Sequence, residues 1–375
     1  MIYLDNAATT LIKPVSVERA VLKAMRSMAS PGRGGHRPAM LAAEAVLDCR
    51  IAAAKLFHVT DPDRIVFTMN ATHALNLAIR SLVAAGDRVV ISGFEHNSVT
   101  RPLHALHADI HVAGRAVFDP EDTLVAFQKM LPTAKAAVCT HVSNAFGYIL
   151  PIYEIAELCR KYRVPLIVDA SQSAGILPID AQRLGAAFIA MPGHKALFGR
   201  QGTGILICGE TGSPLLYGGS GSESFLQEMP EYLPDRLEAG THNVCGIAGL
   251  HAGIAYVQER GTGAILEHEK RLLGIMAREL SDSGLDLFLG EAEHQCGVVS
   301  MRAGRMDCER LAQQLADRDI CVRSGLHCAP TAHQSVGTIE TGTVRFSFSP
   351  FVTEEQVRCA CNALQEILKA SSYKI

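Results

Sequence analysis

The sequence predicts a mostly parallel α/β sheet that binds its ligand beyond the carboxyl ends of its strands. Short apolar, β-branched runs recur along the chain, with helical stretches between some of them. Their exits carry polar or titratable residues: Thr72, His96, Asn144, Asp169 with Gln172, and Lys195. Open α/β sheets place their ligands at such exits. Neither GxGxxG after a strand nor GxxxxGK[ST] occurs, which argues against nicotinamide and nucleotide folds.

The run 188–206, FIAMPGHKALFGRQGTGIL, breaks at Gly193-His194-Lys195 and resumes after several glycines. A lysine there is placed to offer its amine to an aldehyde cofactor; alternatively it is a surface lysine in a glycine-rich turn. Upstream, residues 164–169 (VPLIVD) form an apolar run ending in Asp169. Pyridoxal phosphate chemistry needs this pair, a lysine for the Schiff base and a carboxylate that keeps the pyridine nitrogen protonated. An Asp at a strand end could otherwise cap a helix or bind a metal.

With 375 residues the chain can hold one large and one smaller domain, each with a core. A net charge of −3 with scattered basic residues gives no electrostatic case for nucleic acid or an anionic membrane. No signal peptide is expected at MIYLDNAATT, and no apolar run is long enough to span a bilayer. The eleven cysteines lie apart without a CxxC pair, so free thiols in a reducing cytoplasm are expected rather than disulfides or a metal site.

Residues 2–10 and a helix over 14–28 read as an arm, and 30–37 (SPGRGGHR, with Arg33, His36 and Arg37) as a loop whose glycines allow close backbone approach to a ligand. A strand over 64–68 leads through Asn70-Ala71-Thr72-His73 into a helix over 74–82. That turn suits an anion, with an ordinary Asn or Thr cap as the other reading. A strand over 88–92 ends near His96, which could lie flat on a planar cofactor or simply cap a helix. A strand over 136–140 leads to Asn144, a donor for a ring hydroxyl or a plain turn residue. A helix over 152–162 follows. Residues 217–235 read as a mobile loop near a dimer surface, and 245–280 as one long, mostly helical stretch. Composition shifts near residue 285, giving an arm (1–30), a large domain (31–284) and a small α+β domain (285–375).

In the small domain a strand over 320–323 breaks into SGLHCAP, where Cys328 sits between Gly325 and Pro330. That thiol is either a nucleophile on a loop or a small buried hydrophobe. Arg345 alternates with apolar residues in TVRFS. It faces solvent from an edge strand, or points inward and needs an anionic partner such as a carboxylate.

In this order YLDNAATT, NATHALN, EHNS, VSNAFG, VDASQS, GHK, EAGTHN, RSGLHCAP and TVRFS resemble the class V aminotransferase family of fold-type I pyridoxal phosphate enzymes. Within it they resemble the compact group II cysteine desulfurases, nearly end to end. The resemblance implies a seven-stranded, mostly parallel sheet, a homodimer, and conversion of L-cysteine to L-alanine with a persulfide on Cys328. That sulfur would pass to an acceptor protein or small thiol, for iron-sulfur clusters or another thiolated product. Lys195 would hold the cofactor and move the α-proton, Asp169 would pair with the pyridine nitrogen, and His96 would stack on the ring. Gln172 and Asn144 would face the ring hydroxyl and substrate. Thr72, His73 and His194 would hold the phosphate, joined by Thr241 from the partner subunit. Arg345 would clamp the α-carboxylate, with Arg323, His36, Asn6 and Ala7 lining the substrate mouth.

Three positions depart from the family pattern. Pro192 replaces a phosphate-binding serine, Leu326 replaces a second histidine, and FSFSPFVT lacks an asparagine-threonine pair. Other expectations stay open: selenocysteine lyase, an aminotransferase or C–S lyase of the same family, and a non-catalytic scaffold.

Overall fold

The structure, a computed structural model, describes residues 1–372 apart from Arg33 and Arg305, and of residues 371 and 372 the backbone alone. The strands in chain order are β1 (Ile2–Tyr3), β2 (Ile65–Thr68), β3 (Arg88–Ser92), β4 (Asp109–Ala113), β5 (Ala136–Thr140), β6 (Leu166–Asp169), β7 (Phe188–Pro192), β8 (Gly204–Cys208), β9 (Asp286–Leu287), β10 (Val298–Arg302), β11 (Ile320–Cys321), β12 (Arg323–Gly325) and β13 (Thr343–Ser347). Seven of them form the main sheet in the order β2-β8-β7-β6-β5-β3-β4. Only β8 runs against the others within that sheet.

Both faces of this sheet are covered at its centre, so its inner strands read as continuous apolar runs, while the edge strand β4, DIHVA, is only partly buried. Alternate residues feed opposite cores: Val90, Cys139, Val168 and Ile189 enter one, while Ile91, Val138, Ile167 and Ala190 enter the other. Parallel neighbours in register then bring the carboxyl ends of β5, β6 and β7 side by side, with Thr140 opposite Asp169 and Asp169 opposite Ala190.

A second sheet, β12-β13-β10-β9, is antiparallel. Its core joins Val299, Met301, Leu311 and Phe346 to Leu272, Ile275 and Met276 of the helix Thr262–Glu279, and to Leu4. We propose a two-unit division at 31–284 and 285–375, with the arm 1–30 bridging them and the helix before residue 285 lending its second half to the C-terminal core. The arm is tied by β1, which pairs in parallel with β11, and its helix Val15–Ser27 packs on the helix Val244–Arg260.

Two expectations need correction. The stretch 245–280 is two helices, Val244–Arg260 and Thr262–Glu279, because Gly261 at φ +81° turns the chain between them. The run 320–323 splits at Val322, with β11 in one sheet and β12 in another. Residues 217–235 contain no helix or strand, and Arg33 of the 30–37 loop lies outside the described residues. Among the described residues no helix is long and apolar enough to cross a membrane.

Candidate active site

Lys195 sits in the wide turn between β7 and β8. The turn is closed by Gly193 N donating to Thr203 O (2.8 Å) and Gly199 N donating to Gly193 O (2.8 Å). Gly193 is bare by necessity, since a Cβ there would collide with the Thr203 side chain. Burial pulls the Lys195 amine down to about 8; Asp169 opposes this, while Arg345 and Arg323 reinforce it. That lowering raises the neutral fraction far above that of an ordinary lysine near pH 8 and makes the amine a usable nucleophile.

Asp169 closes β6 and is buried. Its Oδ1 accepts from Ser171 N at 2.9 Å, which leaves Oδ2 for a ligand. His96 follows β3 and caps the helix Asn97–Ala105, its Nδ1 accepting from Ser98 N at 3.0 Å. In the neutral ring the proton therefore resides on Nε2. Burial lowers the ring to about 4 despite the pull of Asp169, so His96 is an uncharged plate beside the carboxylate.

Asn70 caps the helix Ala71–Leu82 through its side chain, which accepts from His73 N. The cap reading and the anion reading therefore coexist. With His73 taken, the amides of Ala71 and Thr72 remain open at the positive end of the helix dipole. Thr72 and His73 lie inside the first helical turn, not ahead of it as the sequence pattern suggests. Thr72 Oγ1 is 2.8 Å from Ser98 Oγ.

These groups surround one cavity of about 200 Å³, lined by Thr72, His96, Asn144, Asp169, Gln172, Pro192, His194 and Lys195 among others. His194 has its Nδ1 3.0 Å from Thr9 Oγ1, and burial lowers its ring to about 4. Gln172 donates from Nε2 to Ala7 O at 3.0 Å. Asn6 donates to Ser347 O at 3.0 Å. His73 and Thr241 line a neighbouring pocket, with Thr241 itself exposed. The loop bearing Thr241 hangs on Glu238, whose buried carboxylate takes both terminal nitrogens of Arg50. His36 is exposed and caps the helix Arg37–Leu56.

Cys328 is exposed on the short loop after β12. His327 and Cys328 both adopt left-handed φ, +51° and +56°, a conformation that non-glycine residues hold only when their surroundings impose it. Asn144 Nδ2 donates to His327 O (2.7 Å) and Asn97 N donates to Cys328 O (2.7 Å). Asn144 thus has its donor on the cysteine loop while it lines the lysine cavity. Arg323 Nη2 stands 3.9 Å from Cys328 Sγ.

Arg345 is buried on β13, between β12 and β10, so the solvent-face alternative is wrong. Its partners are Asp5 Oδ1 (2.6 Å) and Asn144 O (3.0 Å). Sequence reasoning named neither Asp5 nor Glu95. The second is fully buried, accepting from Ser92 Oγ (2.5 Å) and Thr140 N (2.7 Å). Burial pushes its carboxyl up to about 8 against those two hydrogen bonds, and the nearby Asp169 charge adds to the rise. The folded state holds this proton more tightly than the unfolded one. The contribution to stability is complete below the usual 4.5 and is lost as pH climbs through about 8. Glu95→Gln should match the wild type in urea unfolding near pH 5 and exceed it near pH 9. Equal losses at both values would assign Glu95 a packing role instead.

The donor set fits pyridoxal phosphate: a depressed amine for the aldehyde, a carboxylate for the ring nitrogen, a neutral imidazole plate, and a helix N-terminus with hydroxyls for the phosphate. Pro192 offers no hydroxyl, so the polar hydrogens of this wall come from Thr72, Ser98 and the helix N-terminus. The model of the class-V aminotransferases matches residues 2–359. A probable cysteine desulfurase of Methanothermobacter thermautotrophicus is 32% identical, over 98% of this chain and 94% of its own. A cysteine desulfurase of Shigella flexneri is 30% identical over 97% and 93%. The apo structure of a cysteine desulfurase from Thermococcus onnurineus NA1 superposes with a TM-score of 0.90 at 30% identity, covering 98% of this chain and 95% of that one. The chain belongs to the pyridoxal phosphate-dependent class V aminotransferase family, in its cysteine desulfurase branch.

Proposed function

We propose that this enzyme converts L-cysteine to L-alanine and that Cys328 is the thiol that takes the sulfur. One observation carries the assignment: an exposed cysteine in a left-handed loop is tied, through Asn144, to the wall of the Lys195 cavity. Pyridoxal phosphate, when bound, supplies an electron sink for the α-carbon of an amino acid. Lys195 would anchor that group and move the α-proton, for which a depressed amine is suited. Asp169 would hold the ring nitrogen, and His96, uncharged, would cover the ring face without repelling it. Thr72, Ser98 and His194 would serve the phosphate from the cavity wall, and His73 from the neighbouring pocket.

Arg345 receives the α-carboxylate, and Arg323 and Asn6 frame the approach. Cys328 Sγ attacks the substrate sulfur. An S–S bond forms as the substrate Cβ–S bond breaks, and that bonding pair stays on carbon, where protonation gives L-alanine. The persulfide then passes to an acceptor protein or small thiol.

A second copy of the chain accounts for exposed Thr241 and for the apolar Tyr217 and Phe225, at 78% and 100% exposure. Burying such side chains is a driving force for association. Eleven unpaired cysteines suit a reducing cytoplasm.

Single turnover of the loaded protein with L-cysteine tests the reading. Equimolar L-alanine and one added sulfur on the Cys328 peptide are expected. Spectral change without sulfur on that peptide would reject it.

A further inference from the structure

Arg345 is not free to take a carboxylate. Its side chain is 2% exposed, with Nη2 on Asp5 Oδ1 at 2.6 Å and Nη1 on Asn144 O at 3.0 Å. Nε is buried without a partner. Asp5 therefore fills only half of the Nε–Nη2 fork, because its main chain is pinned elsewhere. Ser347 N donates to Leu4 O (2.8 Å), and Tyr3 OH donates to Asp5 O (3.1 Å). The Asp5 carboxylate is itself 19% exposed, so it can turn to water while Arg345 cannot.

We propose that Asp5 is a latch on Arg345, a carboxylate built into the chain that the α-carboxylate of the substrate must displace. This rests on the reading of Arg345 as the carboxylate clamp. The exchange is one anion for another, so the buried guanidinium keeps a counter-ion in the complex, and going without one would be costly in this setting. It is also favourable in hydrogen bonds, since a free carboxylate can take Nε and Nη2 together where Asp5 takes one. An amino acid lacking the carboxylate, or carrying it as an amide, has nothing to exchange and leaves the latch shut. Asp5 thus sets the affinity with which Arg345 takes an α-carboxylate, and it couples that exchange to the site. The same segment sends Ala7 O to Gln172, and Thr10 Oγ1 to the carbonyls of His194 and Lys195.

L-Alanine, which carries the carboxylate but no sulfur, is the probe. Titrated calorimetrically into cofactor-loaded protein, Asp5→Asn should bind it roughly tenfold more tightly than the wild type, if about one wild-type molecule in ten stands unlatched. Alaninamide should bind neither protein measurably. Unchanged or weaker alanine binding by Asp5→Asn overturns the latch. Arg345→Ala separates the two levels: lost alanine binding upholds the clamp whatever Asp5→Asn does, and retained binding overturns clamp and latch together. Should the variants fold poorly, crystals of the wild type with and without L-alanine decide. Asp5 turned away from Nη2 in the alanine complex supports the proposal; Asp5 still bound to Nη2 beside the ligand rejects it.

Discussion

Cys328→Ala is expected to lower L-alanine formation by ~10³-fold or more, the scale on which removal of an essential nucleophile acts. Cofactor binding should survive, because the loop carrying Cys328 is held through backbone groups, Asn144 to His327 O and Asn97 N to Cys328 O, that alanine keeps. Rapid-quench assay of L-alanine together with the cofactor absorbance spectrum separates the two effects. Near wild-type alanine with an intact spectrum would mean that a thiol other than Cys328 takes the sulfur. Alanine at position 328 must also keep a left-handed φ of about +56°. Some local strain therefore persists in the variant, and Cys328→Ser serves as the control.

Lys195→Ala should be still more damaging, about 10⁴-fold or more in turnover, because on the proposed chemistry one amine both anchors the cofactor and moves the proton. Dialysis should strip cofactor from this variant while the wild type retains it. The same lysine sets a pH dependence. Its depressed value near 8 arises from burial, with Asp169 opposing. The neutral fraction rises as pH climbs through about 8. Cofactor uptake by apo-protein should therefore be half-maximal near that pH, not near the 10.5 of an ordinary lysine. Stopped-flow absorbance over pH 6 to 10, in roughly half-unit steps, reads the curve. A midpoint near 10 would imply that Lys195 is solvated as the site opens.

Much of the scaffold was legible because a sheet covered on both faces writes itself as uninterrupted apolar runs. The strands over 88–92 and 136–140, and the helix over 152–162, lie where the pattern puts them. Their exits share a cavity for the same reason: parallel strands in register end together. What escaped depended on long-range pairing. Asp5 meets Arg345 across 340 positions of sequence, and no local pattern announces it. Glu95 looked like one more polar residue in EHNS, yet its place behind β5 makes it a buried acid. Asn144 reads as a donor to a ring hydroxyl or as a turn residue, and its tie to the cysteine loop through His327 O is not visible in the local pattern. The break at Gly261 was readable in ERGTGA, since a glycine past a basic last turn is a stop signal.

The left-handed pair at His327 and Cys328 has one further consequence. A loop pinned at both peptide groups gives the sulfur almost no travel. On the proposed chemistry the enzyme does not hand sulfur outward on a swinging arm. The recipient must make the journey, threading its own thiol down to a stationary donor, and the shape of the surface around Cys328 becomes the gatekeeper of who is served.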